Sequence, residues 1–138
     1  MKHPRVRLFT LAAGLAVLTL ASPVVYGQAR IVVNVPFEFR VGDQQLPAGQ
    51  YAVEPMPDPT MLRISDGAGH VSVTISNSAL KPVKTYSTVT FNRYGEMYFL
   101  SEVHWADTGI SRQLLRSKLE VEIARNVTPE RVVASSKK

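Results

Sequence analysis

Two histidines follow residue 27, and their side chains are the ones best suited to acid-base or metal chemistry. His104 stands two residues after Glu102 in a segment with strand-like alternation, so both side chains fall on one face. A carboxylate beside an imidazole can orient the ring as a general base, and the three groups could hold a metal ion if the fold adds His70. The alternative prediction is therefore a small hydrolase or metal-dependent enzyme that uses Glu102, His104 and His70.

The same residues have a plainer interpretation. Two polar residues on a strand face are a common pair, and the sequence contains no dense cluster of His, Asp and Glu. We therefore favour a non-enzymatic protein, with no catalytic residue, no metal site and no cofactor.

Aromatic side chains are the other candidates for a binding surface. Tyr94 is predicted at a hairpin tip and Trp105 at the end of the following strand, and such residues suit contacts with carbohydrate or protein. Strands also favour aromatic residues for packing alone. We nevertheless expect Tyr94 and Trp105 to form part of a contact surface, with His104 and Glu102 as further candidate binding residues.

The elements that must position these side chains are predicted to be strands. In RIVVNVPFEFRV (30–41) every odd position is apolar, whereas the even positions include Asn34, Glu38 and Arg40. Pro36 cannot donate to a ladder, so this long strand is predicted at an edge or with a bulge. A strand over 50–56 and two hairpins follow, with the hairpins formed by 61–65 with 71–76 and by 85–93 with 96–105, the second turning at Tyr94-Gly95.

Large apolar groups on both faces of 97–105 require cover on both sides of that strand. In the segment that follows, Leu115, Leu119 and Ile123 are spaced four apart and predict a helix over about 111–125, with Ser111 or Ser117 as its N-cap. Strands first and a helix last predict a mainly β domain over 28–126. Its architecture is an antiparallel β sandwich or partly open barrel of about six to eight strands, with one C-terminal helix packed on it. Residues 127–138 are predicted to be a flexible basic tail.

Residues 1–27 have the pattern of a signal peptide. Lys2, Arg5 and Arg7 precede an uncharged run of 14 residues, which is short of the roughly 20 that a membrane-spanning helix needs. Small residues favour cleavage after Gly27 and leave Ala29 as the alternative. We therefore predict export to the periplasm or the extracellular medium, with no stable transmembrane segment after processing.

Composition narrows the function classes further. The chain has no cysteine, which excludes disulfides, thiolate metal sites and a lipid-modified N-terminal cysteine. Of 16 basic residues, three lie in 1–27 and three in 127–138, and of 11 acidic residues only Glu130 lies in these ends. Residues 28–126 therefore hold ten of each sign, so the net charge of +5 gives no support to nucleic-acid binding.

Three segments carry a family resemblance: VPFEFRVGDQQLPAGQYAVEP, FNRYGEMYFLSEVHW and KLEVEIA. They resemble a family of small, exported, uncharacterised bacterial β proteins with the pattern V-P-F-x-F-x-V-G, L-P-A-G-x-Y-x-V and Y-G-x-x-Y-F-L-S-E, over nearly all of 30–126. L-P-A-G-x-Y is also similar to structural corners of immunoglobulin-like and transthyretin-like sandwiches. The resemblance implies export and a β fold but no chemistry. We predict an exported non-enzymatic β domain with a binding or structural role in the cell envelope, whose partner is an envelope protein or a glycan.

Overall fold

The computed structural model describes residues 30–82 and 84–136, which form ten strands and one helix. In chain order the strands are β1 (Ile31–Val35), β2 (Phe39–Val41), β3 (Gln44–Leu46), β4 (Gly49–Pro55), β5 (Met61–Asp66), β6 (Val71–Ala79), β7 (Thr88–Tyr94), β8 (Met97–Trp105), β9 (Ile110–Leu114) and β10 (Glu130–Ser135). The helix α1 (Lys118–Ala124) lies between β9 and β10. The mainly β class with one helix near the C-terminus is confirmed. The predicted signal peptide, its cleavage site after Gly27 or Ala29, and residues 137–138 lie outside the described ranges.

The strands form one open mixed sheet that curls back on itself. Its order runs β1-β4-β5-β6-β9-β8, and β8 then pairs with β7, which pairs with β10. On its other edge, β8 pairs with β9 through its C-terminal part, from Glu102 to Trp105. Its N-terminal part lies beside β2, in parallel through Phe99 and Arg40, and β3 pairs with β2. Cα atoms of β1 and β10 come within 8 Å of each other. The two ends of the strand order therefore approach one another, as in a partly open barrel.

The hydrophobic core fills the inner face of this curled sheet. Alternating residues of β1 are buried, as are Tyr51, Ala52 and Val53 in the middle of β4, and the core continues through Phe91 of β7 and Val103 of β8. Tyr51 is 1 % exposed, and its hydroxyl donates to the Pro47 carbonyl at 2.6 Å, which closes the L-P-A-G-Q-Y corner. From Phe99 to Trp105 every side chain of β8 is buried, in line with the prediction that this strand needs cover on both faces.

The first predicted strand is divided in two by Pro36. The alternation of buried residues continues through both parts, but β1 pairs with β4, whereas β2 pairs with β3 and β8. Pro36 has no N–H for a ladder, so the chain leaves one neighbour there and takes up another. The second predicted hairpin turns one residue later than expected. Tyr94 pairs with Met97, and Gly95, with φ +63°, takes the left-handed conformation in the turn.

The predicted helix over 111–125 is too long. Residues 110–114 form β9, because that segment fills the position between β6 and β8, and α1 begins only after Ser117, whose hydroxyl accepts from Glu120 N. The predicted apolar stripe is not the buried face: Leu115 is 53 % and Leu119 40 % exposed, whereas Glu120 is the buried residue of the helix. Tertiary pairing therefore overrode the helical period.

The prediction of a flexible tail over 127–138 is wrong for residues 130–135. These residues form β10, which pairs antiparallel with β7 from Glu130 opposite Arg93 to Ser135 opposite Thr88. Val132 and Ala134 pack against the core from this strand. Without β10, the backbone of β7 would present an open edge.

Candidate functional site

The structure does not bring together the three residues of the predicted enzyme site. Glu102 and His104 are buried, but His70 lies in the exposed turn between β5 and β6, where its Nδ1 is 2.8 Å from Asp66 Oδ2. Among the described residues, no group of three or more His, Asp or Glu side chains is placed to hold a metal ion. The alternative built on Glu102, His104 and His70 therefore has no assembled site in residues 30–82 and 84–136.

His104 belongs to a polar row on the outer face of the sheet. Register places Thr88, His104 and Ser111 opposite one another on β7, β8 and β9, and all three are nearly fully buried. His104 Nδ1 and Ser111 Oγ are 2.7 Å apart, while His104 Nε2 and Thr88 Oγ1 make no hydrogen bond within the described structure. A serine beside a histidine can be activated as a nucleophile, but here the pair is closed to substrate by burial.

Glu102 lies on the same face of β8 as His104, two residues before it. Two cationic side chains lie beside its carboxylate. Lys81 Nζ and Arg131 Nη2 each lie 3.4 Å from Glu102 Oε2, and they come from the β6–β7 connection and from β10. The Glu102 side chain is only 5 % exposed, so removal of a cation would leave buried charge less compensated. Lys81 also follows Ser78 with the S-x-x-K spacing of some serine hydrolases. Ser78 Oγ, however, accepts from Arg112 at 3.2 Å, and Lys81 is held at Glu102.

The two aromatic candidates lie inside the molecule. Tyr94 is 4 % and Trp105 3 % exposed, so neither offers the contact surface expected of it. The Tyr94 hydroxyl donates to Glu120 Oε1 at 3.1 Å, and Asn92 Nδ2 donates to the same oxygen at 2.9 Å. Burial first, and then the neighbouring Glu120 carboxylate, raise the pKa of the Tyr94 phenol. These contacts join α1 to β7 and are structural.

Two open clefts on the surface are lined mainly by polar groups. One, of about 210 Å³, lies between β4 and the β5–β6 turn, and the other, of about 280 Å³, lies between β2, β3 and the start of β8. Neither is lined by Glu102, His104, Tyr94 or Trp105. The predicted binding residues therefore do not converge on either cleft.

An exposed apolar surface lies instead on β6, at residues that the sequence analysis did not single out. Val71, Val73 and Ile75 are 44 %, 46 % and 52 % exposed, and they share a face because they are spaced by two. Leu115, 53 % exposed, joins them, since its N–H donates to the Ile75 carbonyl and places the two residues opposite each other. We call Val71, Val73, Ile75 and Leu115 the β6 patch.

The β6 strand has its apolar side chains on the outside and polar ones on the inside. Ser72 and Ser76, which point the other way, are 3 % and 0 % exposed. A strand with one solvated face normally shows the opposite pattern. The alternation is visible in V-S-V-T-I-S, where Val and Ile alternate with Ser and Thr, but alternation alone does not tell which set faces water.

The free edge of β6 beside the patch is occupied at both ends. Gln44 Nε2 donates to the Val71 carbonyl at 3.3 Å, and Leu115 N donates to the Ile75 carbonyl at 3.3 Å. Backbone groups of residues two apart point to the same edge, so these contacts leave only Val73 between them. A partner strand would find too little edge to pair with. The face of β6, and not its edge, is therefore the part of this strand that is open to contact.

Searches against protein-family models, curated proteins and solved structures found no match. Function is therefore inferred from the described residues themselves. Within the described ranges, no helix has the length and apolar character needed to cross a membrane.

Proposed function

We propose that this chain is an exported, non-enzymatic β domain that binds a partner protein in the bacterial cell envelope, and that the β6 patch is its docking surface. The proposal includes cleavage of residues 1–27 and membership of the family of small exported β proteins that the chain resembles. The main observation in support of this docking surface is the exposure of Val71, Val73 and Ile75 on one face of β6.

The reason for a partner is the cost of leaving this face in water. Scattered exposed apolar residues are ordinary, but a contiguous set on one face marks a contact surface. The patch is contiguous: three of its side chains follow one strand at every second residue, and Leu115 lies opposite the last of them. Burying these side chains would gain roughly 25 cal/mol for each Å² removed from water.

The chemistry of the patch favours a protein over a glycan. No charged residue occurs from Val71 to Leu80, and the Val, Ile and Leu side chains of the patch offer no hydrogen bonds to sugar hydroxyls. Carbohydrate contacts would need an exposed aromatic ring with polar groups beside it, but the β6 patch holds no aromatic residue. Trp105 and Tyr94 are buried, and Tyr86, which is 52 % exposed, is not part of the patch. An apolar protein surface is the partner that such a face can bind.

The test is site-specific photo-crosslinking in the native cells. A photoreactive amino acid at Val73 is expected to give a discrete adduct on the exported chain after irradiation. The control is the same amino acid at Val133 on β10, which is 52 % exposed and also β-branched. Adducts of equal yield at both positions, or none at Val73, would refute the docking surface.

The export part of the proposal has its own measurement. The mass of the protein recovered from the envelope or medium should correspond to a chain that begins at Gln28. A chain that retains Met1 would contradict it.

A further inference from the structure

We infer that the cleft between β2, β3 and the start of β8 is a second binding site, and that its ligand is an amino sugar. The inference goes beyond the proposed function, because no residue of the β6 patch lines this cleft. Its lining includes Glu38, Arg40, Gln45, Glu96, Met97 and Tyr98.

The cleft opens where two parallel strands diverge. β2 pairs with β8 through a single residue pair, Arg40 opposite Phe99. Before that pair, Glu38 borders the cleft next to β2, and Glu96 and Met97 border it at the start of β8. Both strands are held on their other edges, β2 by β3 and β8 by β7, so the opening belongs to the fold itself.

Three charged side chains line the cleft without pairing with one another. Opposite charges within reach at a protein surface form ion pairs with N···O distances up to about 4 Å. Among the residues that the structure describes, however, Arg40, Glu38 and Glu96 take part in no ion pair. Two carboxylates and one guanidinium give the cleft a net charge of −1, so it attracts a cationic group and disfavours an anionic one.

The hydrogen-bonding groups of the cleft suit sugar hydroxyls. Arg40 Nη2 donates to Gln45 Oε1 at 3.4 Å, and Gln45 Nε2 donates to Glu38 Oε1. These two bonds leave other N–H groups of Arg40 and other lone pairs of Glu38 open. A hydroxyl both donates and accepts, so neighbouring hydroxyls of one ring can bind both side chains. The two bonds also orient the three side chains before a ligand arrives, which lowers the entropic cost of binding.

Tyr98 and Met97 add an apolar part to the lining. The Tyr98 ring is stacked on Phe37, with centroids 3.8 Å apart and 15° between the ring planes, and Arg93 Cζ lies 5.4 Å from its centroid. Arg93 is itself paired with Glu130 at 3.7 Å, so its charge is compensated. These contacts hold the ring in place, and together with Met97 it offers the C–H groups of a sugar an apolar surface.

The size of the cleft sets the size of the ligand and the strength of binding. Drug-sized ligands occupy sites of about 300–1,000 Å³. A cleft of about 280 Å³ therefore suits a single sugar residue. Because the cleft is open to water, we expect a dissociation constant on the order of 1 mM.

The test is an NMR titration of the exported, ¹⁵N-labelled protein with glucosamine, glucose and glucuronate. The three sugars share a similar ring and carry a positive, a neutral and a negative substituent. Glucosamine should shift the amide signals of residues 38–45 and 96–98, glucose should shift them more weakly, and glucuronate should leave them unchanged.

A matched pair of variants tests the role of charge. Glu96→Gln should raise the Kd for glucosamine about two- to fivefold, the effect of one exposed ion pair, and leave that for glucose unchanged. Glu122→Gln, at an exposed carboxylate on α1, should bind like wild type. A thermal melt of each variant shows that it is folded.

Three results would overturn the inference. They are the absence of shifts at residues 38–45 and 96–98 with glucosamine on the order of 50 mM, binding of glucose or glucuronate as tight as that of glucosamine, and a Glu96→Gln variant that binds like wild type. None of them bears on photo-crosslinking at Val73, so the cleft and the β6 patch stand or fall separately.

Discussion

Glu120 anchors the helix to the sheet through hydrogen bonds with two side chains of β7. Its carboxylate oxygen accepts from Asn92 at 2.9 Å and from Tyr94 at 3.1 Å, in a site where the Glu120 side chain is 4 % exposed. Glu120→Ala should therefore lower the free energy of unfolding by about 2–3 kcal/mol, because two buried donors lose their acceptor. Urea unfolding measures the change.

Glu122 on the same helix is the matched control. Its side chain is 68 % exposed, and its partner Arg125 lies 3.3 Å away on the surface. Glu122→Ala should change the stability by less than about 0.5 kcal/mol. Equal effects at Glu120 and Glu122 would contradict the role assigned to the buried carboxylate.

Asp66 controls the acid stability of the β5–β6 turn. Burial raises the pKa of its carboxyl, but hydrogen bonds from the backbone and side chain of His70 and from Ala68 N outweigh this, so the pKa lies below that of an ordinary aspartate. A lowered folded-state pKa stabilises the fold above the unfolded pKa, and this contribution is lost as the pH falls below about 4. Asp66→Asn should therefore flatten the decline of Tm in that range. Asp43→Asn, in the turn between β2 and β3, is the charge-matched control and should follow wild type.

At this scale the sequence predicted several positions well and the candidate site poorly. Ser117 caps the helix and Gly95 takes the turn conformation, because each depends on local geometry. Burial at the site depends on what the rest of the chain places over a strand. Nothing in the sequence around Tyr94 and Trp105 indicated that α1 and the core would cover these side chains.

Among the elements, β10 gives the clearest prediction. A chain that ends after Pro129 loses the strand that pairs with β7 and exposes the edge of β7. We expect this truncation to lower Tm strongly and to promote aggregation, whereas a chain that ends after Ser136 should melt like wild type. Melting followed by circular dichroism distinguishes the two. If the chain that ends after Pro129 melted at the same temperature as wild type, residues 130–135 would behave as the flexible tail that the sequence predicted.

The β7–β8 hairpin depends on the backbone of Gly95. Its φ is +63°, and a Cβ there would meet no atom within 4 Å, so substitution adds backbone strain without a clash. Gly95→Ala should cost about 1 kcal/mol. Gly67 is the control, since its surroundings are equally open and its φ is not positive, and Gly67→Ala should be close to neutral. A stability loss at Gly67 as large as that at Gly95 would contradict this explanation.

The elements that the sequence predicted correctly are those in which alternating apolar residues and turn-forming residues indicate the same structure. Both hairpins combine alternation with a glycine turn, so their strands were predictable. Residues 110–114 and 130–135 lack that agreement. Residues 110–114 precede apolar residues at a helical spacing, and only pairing with β6 and β8 makes them a strand. Residues 130–135 form a short strand beside charged residues, and only pairing with β7 decides their structure.

At the scale of the whole molecule, the outer face of the sheet is divided into a polar part and an apolar part. The buried rows of Thr88, His104 and Glu102 lie on the same face as Ile75 and Leu115, as the register from β7 through β9 to β6 shows. Polar groups are thus covered while apolar groups are exposed. This arrangement is costly for an isolated domain, and it is the reason for our proposal that a partner covers the β6 patch.

The most direct test of the account is photo-crosslinking at Val73 in intact cells, read on the exported chain. We predict a discrete adduct on a chain that begins at Gln28, formed at Val73 and not at Val133. Equal labelling at Val73 and Val133, or no adduct at Val73, would contradict the claim that this face binds a partner.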